Sequence, residues 1–166
     1  RIARSEQFDV IHCHDWMTYG AGIEARRVSG KPFIAHVHAT EFDRTGGNHL
    51  NQIVYTIERY GLEQADLIVS VSAYTKRMIV DHYGIPPEKV MVVHNGVEEP
   101  SSAEEFVSKL DFNSRIVLFL GRITLQKGPD YFLKAAKRVI DYYPDVRFVV
   151  AGTGDMECFM IEEAAK

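Results

Sequence analysis

Cysteine is scarce in this sequence, and its two cysteines, Cys13 and Cys158, lie far apart in apolar segments. A secreted domain held by disulfides uses several cysteines, so this class is excluded and reduced, buried thiols are expected. An excess of positive charge is also lacking, because the formal net charge is -4. Non-specific nucleic-acid binding depends on a positive field, so we expect no nucleic-acid partner.

Long apolar runs are absent as well. None approaches the roughly 18 residues that a membrane-spanning helix needs, and the sequence has no secretory signal or lipidation motif. We therefore expect a cytoplasmic protein, with a peripheral membrane contact left open for the full-length protein only. The chain begins at Arg1 without methionine and ends within a helical pattern. From this we expect a fragment of a longer protein.

Short apolar runs rich in β-branched residues alternate with helical patterns along the chain. Most of the runs lack polar alternation, which is typical of strands buried on both faces of a parallel sheet. The predicted strands are 9–13, 32–37, 66–71, 89–94, 115–120 and 146–151. The predicted helices are 16–29, 49–65, 73–83 and 130–143. This order predicts an α/β fold with Rossmann-like parallel sheets, interrupted by a polar, linker-like segment at 95–114.

Polar residues and glycines follow nearly every predicted strand. In an open parallel sheet, ligands bind beyond the carboxyl ends of the strands, so these residues are candidates for binding. They include His14 and Asp15, His38 and Glu41, Ser72 and Tyr74, Asn95 and Gly96, Gly121 and Arg122, and Gly152 and Gly154.

The segment "LFLGRITLQKGPDYF" (118–132) places two cations between two glycines, where a strand should be followed by a helix. Gly121 would let the backbone approach a ligand, and the N-terminus of the next helix attracts anions. Arg122 could bind two phosphate oxygens while Lys127 adds a point charge, so the pair suits a diphosphate. The spacing alone fits a solvent-exposed basic turn equally well.

Gly152 and Gly154 follow the last predicted strand. A dinucleotide-binding fingerprint would need a third glycine at position 157, where the sequence has Glu157. Either a tight turn or a close approach of the backbone to a phosphate explains the two glycines.

Two H-x-H pairs lie at the ends of the first two predicted strands. The pairs are His12 with His14 and His36 with His38. Together with Asp15 they could form a metal site of a metal-dependent hydrolase. However, His12 and His36 lie inside apolar runs, where a core histidine is the usual outcome, so no metal is expected. The alternative assigns His14, Asp15 and His38 to a polar substrate, with Glu41 in a loop over the same crevice.

Six segments resemble, in this order, the retaining glycosyltransferases of the GT-B fold, namely family 4 and its glycogen- and starch-synthase relatives. They are "FDVIHCHDW", "FIAHVHATEFDR", "ADLIVSVSAYTKRMI", "KVMVVHNGVE", "LFLGRITLQKGPDYFLKAA" and "RFVVAGTGDM". The resemblance covers essentially the whole chain, and its G-R-x-x-x-x-K-G element is specific. It implies two Rossmann-like domains that face a cleft between them.

The resemblance also implies a division of the chain. Residues 1–96 would be the C-terminal half of the acceptor-side domain, 97–112 a linker, and 113–166 the first part of the donor domain. Such a fragment alone would be inactive, and its open sheet edges would favour self-association.

The site residues follow from the same resemblance. Arg122 and Lys127 would hold the diphosphate of a nucleotide diphosphate sugar, with Gly121, Gly152 and Gly154 near the donor. His38 would lie near the transferred sugar, and His14, Asp15 and Glu41 would contact the sugar or the acceptor. The protein would move a hexose to a carbohydrate or other hydroxyl acceptor with retention of configuration. No cofactor or metal is expected, since protein cations can stabilise the leaving group. A non-catalytic nucleotide-binding module is the other alternative.

Overall fold

A computed structural model describes residues 2–47, 49–97 and 115–165. The predicted linker, 97–112, lies outside these residues except for Val97. The chain divides into two compact units, Arg1–Val97 and Glu98–Lys166. Among the helices that the structure describes, none combines the length and the hydropathy needed to cross a membrane.

The first unit contains a four-stranded parallel sheet in the order β1-β2-β3-β4. Its strands are β1 (Ile11–His14), β2 (Phe33–Val37), β3 (Leu67–Ser70) and β4 (Val90–Val92). Its helices are α1 (Ile2–Ser5), α2 (Trp16–Ser29), α3 (Glu41–Thr45), α4 (Gln52–Gln64) and α5 (Ala73–Tyr83). The register aligns His14 with His36 and Val37 with Ser70. The carboxyl ends of these strands therefore meet at one edge of the sheet.

Local signals in the sequence set the helix ends. The Ser72 hydroxyl accepts a hydrogen bond from the main-chain N–H of Thr75 at the start of α5. Gly30 and Gly84 end α2 and α5 in the left-handed conformation that glycine adopts without strain. These caps explain why the predicted helices 16–29 and 73–83 match α2 and α5 at both ends.

The core of this unit lies on one face of the sheet. Cys13, Phe33 and Ala35 point to that face, where residues of α2, α4 and α5 join them in a single buried cluster. The helices approach closely because Gly61 has no side chain: a Cβ there would lie 2.2 Å from the Tyr19 ring. The opposite face is largely accessible in the described residues, with His12 and Met91 exposed. The predicted burial on both faces is therefore wrong for β1, β2 and β4, whereas in β3 adjacent residues Ile68, Val69 and Ser70 are all buried.

The second unit pairs two parallel strands, β5 (Arg115–Leu120) and β6 (Val146–Ala151). In the described part of this unit, the strands are accompanied by α6 (Pro129–Ile140) and α7 (Glu157–Ala164). Phe132 of α6 packs between Phe119 and Phe148, with ring centroids 5.4 and 5.6 Å away. Leu118 and Leu120 point to the other face of the strands and are 54% and 78% exposed.

Candidate functional site

Four histidines lie side by side where β1 and β2 end. We call His12, His14, His36 and His38 the histidine array. His12 Nε2 lies 3.1 Å from His36 Nδ1, and His14 Nδ1 lies 2.9 Å from His38 Nε2. The rings stack, with centroids 4.6 Å apart for His12 and His14 and 4.4 Å apart for His36 and His38. The core position expected for His12 and His36 is wrong, since His12 is exposed and His36 only half-buried.

Two rings of the array, His12 and His36, favour the neutral imidazole. Burial lowers the pKa of His36, and the neighbouring His38, His14 and His12 rings lower it further, whereas Asp15 opposes this shift. Burial likewise lowers the pKa of His12, with smaller contributions from His14 and His38. In each hydrogen-bonded pair one ring must donate and the other accept, so the two rings of a pair fix each other's tautomer.

Asp15 joins the end of β1 to the segment that carries His38. Its Oδ1 atom accepts hydrogen bonds from the main-chain N–H groups of His38 at 2.8 Å and Ala39 at 3.4 Å. Asp15 adopts φ 57° and ψ 171°, a conformation that is nearly confined to glycine and costs about 1–3 kcal/mol. The surrounding bonds hold this strain, so Asp15 positions His38. Its direct contact with a sugar stays a prediction.

Glu41 lies in a helix rather than in the predicted loop. Thr40 and Asp43 form a capping box that starts α3. A Thr followed three positions later by an acidic residue is the sequence pattern that could have predicted this helix start. Glu41 is only 5% exposed. Its Oε2 accepts from Arg44 Nε at 3.1 Å and its Oε1 from the Asn51 N–H at 3.0 Å. Its carboxylate is therefore engaged within the fold, and its sugar contact stays a prediction.

Glu58 of α4 is a buried residue that the sequence motifs do not indicate. It is 4% exposed and accepts from the Glu41 N–H at 3.0 Å, from the Tyr83 hydroxyl and from the Arg44 guanidinium. We call Glu41, Arg44, Glu58 and Tyr83 the Glu58 network. Its sequence signal is helical spacing, since Glu58 lies four residues from both Val54 and Leu62 of the buried helix face.

The pKa values in the Glu58 network follow from its charges. Burial raises the pKa of Tyr83, and its hydrogen bond to the Glu58 carboxylate raises it further. Burial alone would lower the pKa of Arg44, but the hydrogen bonds and charges of Glu58 and Glu41 outweigh this and raise it. Arg44 therefore stays charged, and the network anchors α3, which follows His38, to α4 and α5.

Arg122 and Lys127 lie in the loop after β5. The chain turns at Gly121, forms a short 3-10 helix at Leu125–Lys127, and enters α6 through Gly128 in the left-handed conformation. Both cationic side chains are exposed. Within the part of the chain that the structure describes, neither has a hydrogen bond or ion pair. They are thus available to an anionic ligand, and their roles in donor binding stay a prediction.

The N-terminus of α6 already carries a carboxylate. Asp130 lies in the first turn and pairs with Lys134 at 3.0 Å, and this ammonium lowers the pKa of Asp130. A resident negative charge at a helix N-terminus occupies the position where the dipole would attract a bound anion. A diphosphate at this loop would therefore depend mainly on Arg122 and Lys127 rather than on the helix.

Gly152 and Gly154 let two loops pack main chain against main chain. The Ile123 N–H donates to the Thr153 carbonyl at 2.9 Å, and the Met156 N–H donates to the Ile123 carbonyl at 3.1 Å. A Cβ at Gly152 would lie 1.9 Å from the Gly121 oxygen, and a Cβ at Gly154 would lie 2.2 Å from the Ile123 oxygen. Both glycines therefore position the loop of Arg122. A direct role in nucleotide binding stays a prediction.

We expect Gly154→Ala to displace this loop and to destabilise it by about 2 kcal/mol, because the new methyl group meets backbone that cannot rotate away. Hydrogen exchange measured by mass spectrometry should show faster exchange at the Ile123 amide. Gly96→Ala is the control, since a Cβ there meets nothing within 4 Å. Equal exchange in the two variants would contradict the assigned packing.

Comparison with known families divides the chain in two. Residues 1–99 match the family model described as Glycosyltransferase Family 4, and residues 101–166 match the model described as Glycosyl transferases group 1.

Two curated relatives illustrate the similarity. An uncharacterized glycosyltransferase of Methanocaldococcus jannaschii is 28% identical over 93% of this chain and 43% of its own length. The alpha-maltose-1-phosphate synthase of Mycolicibacterium smegmatis is 33% identical, again over 93% of this chain and 43% of its own length. The chain therefore spans less than half the length of these relatives.

A solved structure shows the same fold. Anabaena HepE, crystallised in complex with UDP, matches 99% of this chain and 44% of its own chain, with a TM-score of 0.72 at 18% identity. The predicted α/β fold with parallel sheets of GT-B type is confirmed.

Proposed function

Because the chain belongs to Glycosyltransferase Family 4, we propose that its protein transfers a hexose from a nucleotide diphosphate sugar to a hydroxyl acceptor. The configuration at the anomeric carbon would be retained. The acceptor is a carbohydrate or another molecule with a free hydroxyl group. Support for a nucleotide donor comes from HepE, which shares the fold and was crystallised in complex with UDP.

The observation that carries this proposal is the pair Arg122 and Lys127. Both cations follow a parallel strand at its carboxyl end, are exposed, and have no partner among the described residues. Cleavage of a sugar–diphosphate bond builds negative charge on the departing phosphate. Fixed cations stabilise that charge more in the transition state than in the ground state, and this difference accelerates the reaction.

In this proposal Arg122 and Lys127 stabilise the negative charge of the leaving diphosphate, so no metal ion is needed for that purpose. Arg122 offers a planar fork that can donate to two phosphate oxygens, and Lys127 adds a compact charge. Together they can supply the positive charge that stabilises the departing diphosphate.

On the sugar side, we assign His38 to the transferred hexose. Its ring bonds to His14 at 2.9 Å and its main-chain N–H bonds to Asp15, so both the ring and its backbone are positioned. An imidazole held in this way can donate a hydrogen bond to a sugar hydroxyl or receive one from it. His14 and Asp15 then act on the sugar largely through His38.

The direct test uses the protein that carries this chain. Incubation with labelled ADP-, UDP- and GDP-hexoses and candidate hydroxyl acceptors should give a labelled product with one donor, which should also raise the melting temperature. The anomeric configuration of the product, determined by NMR, tests retention. Donor binding without any product would favour a non-catalytic binding module.

We expect His38→Ala to lower kcat roughly 100-fold, because a positioned hydrogen-bonding group next to the reacting sugar is lost. Donor affinity should change little, since the diphosphate contacts lie elsewhere. Steady-state kinetics and calorimetric titration with the nucleoside diphosphate measure the two quantities. His82→Ala is the control, because His82 is an exposed histidine outside the array. An unaltered kcat would remove His38 from the site.

A further inference from the structure

We propose that His12, His14 and His36 form a binding site for a divalent transition-metal ion of the zinc class. The three rings lie on the accessible face of the first unit, and one ring nitrogen from each lies within 4.8 Å of the others. The site consists of residues from the first unit alone. The inference does not depend on the proposed transfer reaction.

The spacing of the rings suits a shared ion. Two nitrogens bound at about 2.0–2.1 Å to one tetrahedral ion lie about 3.3 Å apart. His12 Nε2 and His36 Nδ1 are already 3.1 Å apart, joined by a hydrogen bond. An ion bound between these two rings would replace the shared proton and lie off the line between the two nitrogens, so each ring would turn to direct its lone pair at the ion.

The backbone holds the three rings in place. His12 and His14 alternate with buried Cys13 along β1, so both point to the same face. His36 lies on the neighbouring strand, where the register pairs it with His14. A site on hydrogen-bonded strands is held more precisely than a site on loops, so the backbone needs little rearrangement when an ion binds.

The ligand set selects the class of ion. Imidazole nitrogens suit zinc, copper, nickel and cobalt, whereas magnesium and calcium require oxygen ligands. An imidazole must be neutral to bind a metal, and partial burial together with the neighbouring rings lowers the pKa of His12 and His36, which favours that form. His36 also has a buried Nε2 atom without a hydrogen-bond partner, so this ring is not fully satisfied by the protein in the described residues.

Occupancy would change the neighbouring hydrogen bond. His14 Nδ1 bonds to His38 Nε2 at 2.9 Å, so an ion that binds His14 Nδ1 would break this bond, whereas an ion that binds His14 Nε2 would fix the tautomer of the ring that makes it. Three histidine ligands leave at least one coordination position for water or another small ligand.

The test is titration of the purified, metal-stripped protein that carries this chain with zinc chloride alone, followed by calorimetry. We expect one ion to bind per chain. His12→Gln and His36→Gln should each weaken zinc binding at least roughly 100-fold. Losing a group that only hydrogen-bonds to a metal ligand weakens binding by about 10- to 100-fold, and losing the ligand itself should weaken it more. His82→Gln is the matched control and should bind zinc as the unmodified protein does.

Two outcomes would overturn the site: no stoichiometric binding by the unmodified protein, or equal binding by the array variants and the control. A second measurement avoids dependence on variants that fail to fold. X-ray absorption of the unmodified zinc-loaded protein should count three imidazole ligands around the ion. A coordination shell made of oxygen or sulfur would exclude the histidine array.

Discussion

Replacing Arg122 with alanine is expected to lower kcat/KM for sugar transfer by about 100- to 1000-fold, the effect of removing one preorganised donor from a developing negative charge. Arg122 is exposed, at the carboxyl end of β5, and unpaired among the described residues. Its guanidinium would contact the leaving diphosphate through two oxygens, which alanine cannot replace. The neighbouring helix N-terminus compensates little because Asp130 already occupies it.

Kinetics and nucleoside diphosphate titrations of Arg122→Ala and Lys127→Ala measure this effect. Lys127→Ala should also weaken diphosphate binding, with a smaller effect since an ammonium offers a single point of charge. Lys137→Ala is the control, because it removes one exposed cation from α6 without touching the loop. Unchanged diphosphate affinity in both loop variants would refute the phosphate assignment.

Replacing Glu58 with alanine is expected to lower the free energy of unfolding of the first unit by about 3–5 kcal/mol, because one partner of a buried ion pair is removed. The change leaves the Arg44 charge without its partner on α4. It also leaves the Glu41 N–H and the Tyr83 hydroxyl without their acceptor. Because α3 follows directly after His38, we also expect lower turnover in this variant.

Urea unfolding followed by tryptophan fluorescence measures the loss of stability. Trp16, the single tryptophan of this chain, packs against the core of the first unit and reports on that unit. Glu63→Ala is the matched control on the same helix. The ion pair of Glu63 with Arg59 is about half exposed, so solvent screens it. Its removal should therefore lower the free energy of unfolding only slightly. A Glu58→Ala effect no larger than this control would contradict the anchoring role.

The strands were largely predictable from the sequence. The runs at 115–120 and 146–151 match β5 and β6 at both ends, because continuous runs of β-branched and other apolar residues bounded by polar residues give a strong signal. The strand predicted at 89–94 is shorter in the structure, Val90–Val92, since ladder pairing rather than apolar character sets its ends.

The environment of individual side chains was harder to predict. An apolar strand does not reveal which of its faces the helices cover, so His12 was expected in the core and is exposed. The Glu58 network joins residues up to 42 positions apart, from Glu41 to Tyr83, and depends on how helices pack rather than on any local pattern.

The candidate site likewise contains some residues that the sequence predicts and others whose role the sequence does not reveal. Arg122 and Lys127 could be proposed from their spacing and from the family motif, because both signals are local. The reason for glycine at 152 and 154 is not visible in the local sequence, since the atoms that exclude a side chain belong to Gly121 and Ile123, some 30 residues earlier.

The main-chain contact between the loop of Arg122 and the loop of Gly152 and Gly154 also affects whether a comparison of related sequences can detect that the two loops are in contact. Covariation methods detect residue pairs because a change in one side chain is compensated by a change in another. Here carbonyl and N–H groups make the contact, and every residue except proline carries both. Apart from the constraint to glycine, the two loops can therefore diverge without leaving a correlated signal, although each depends on the other for its shape.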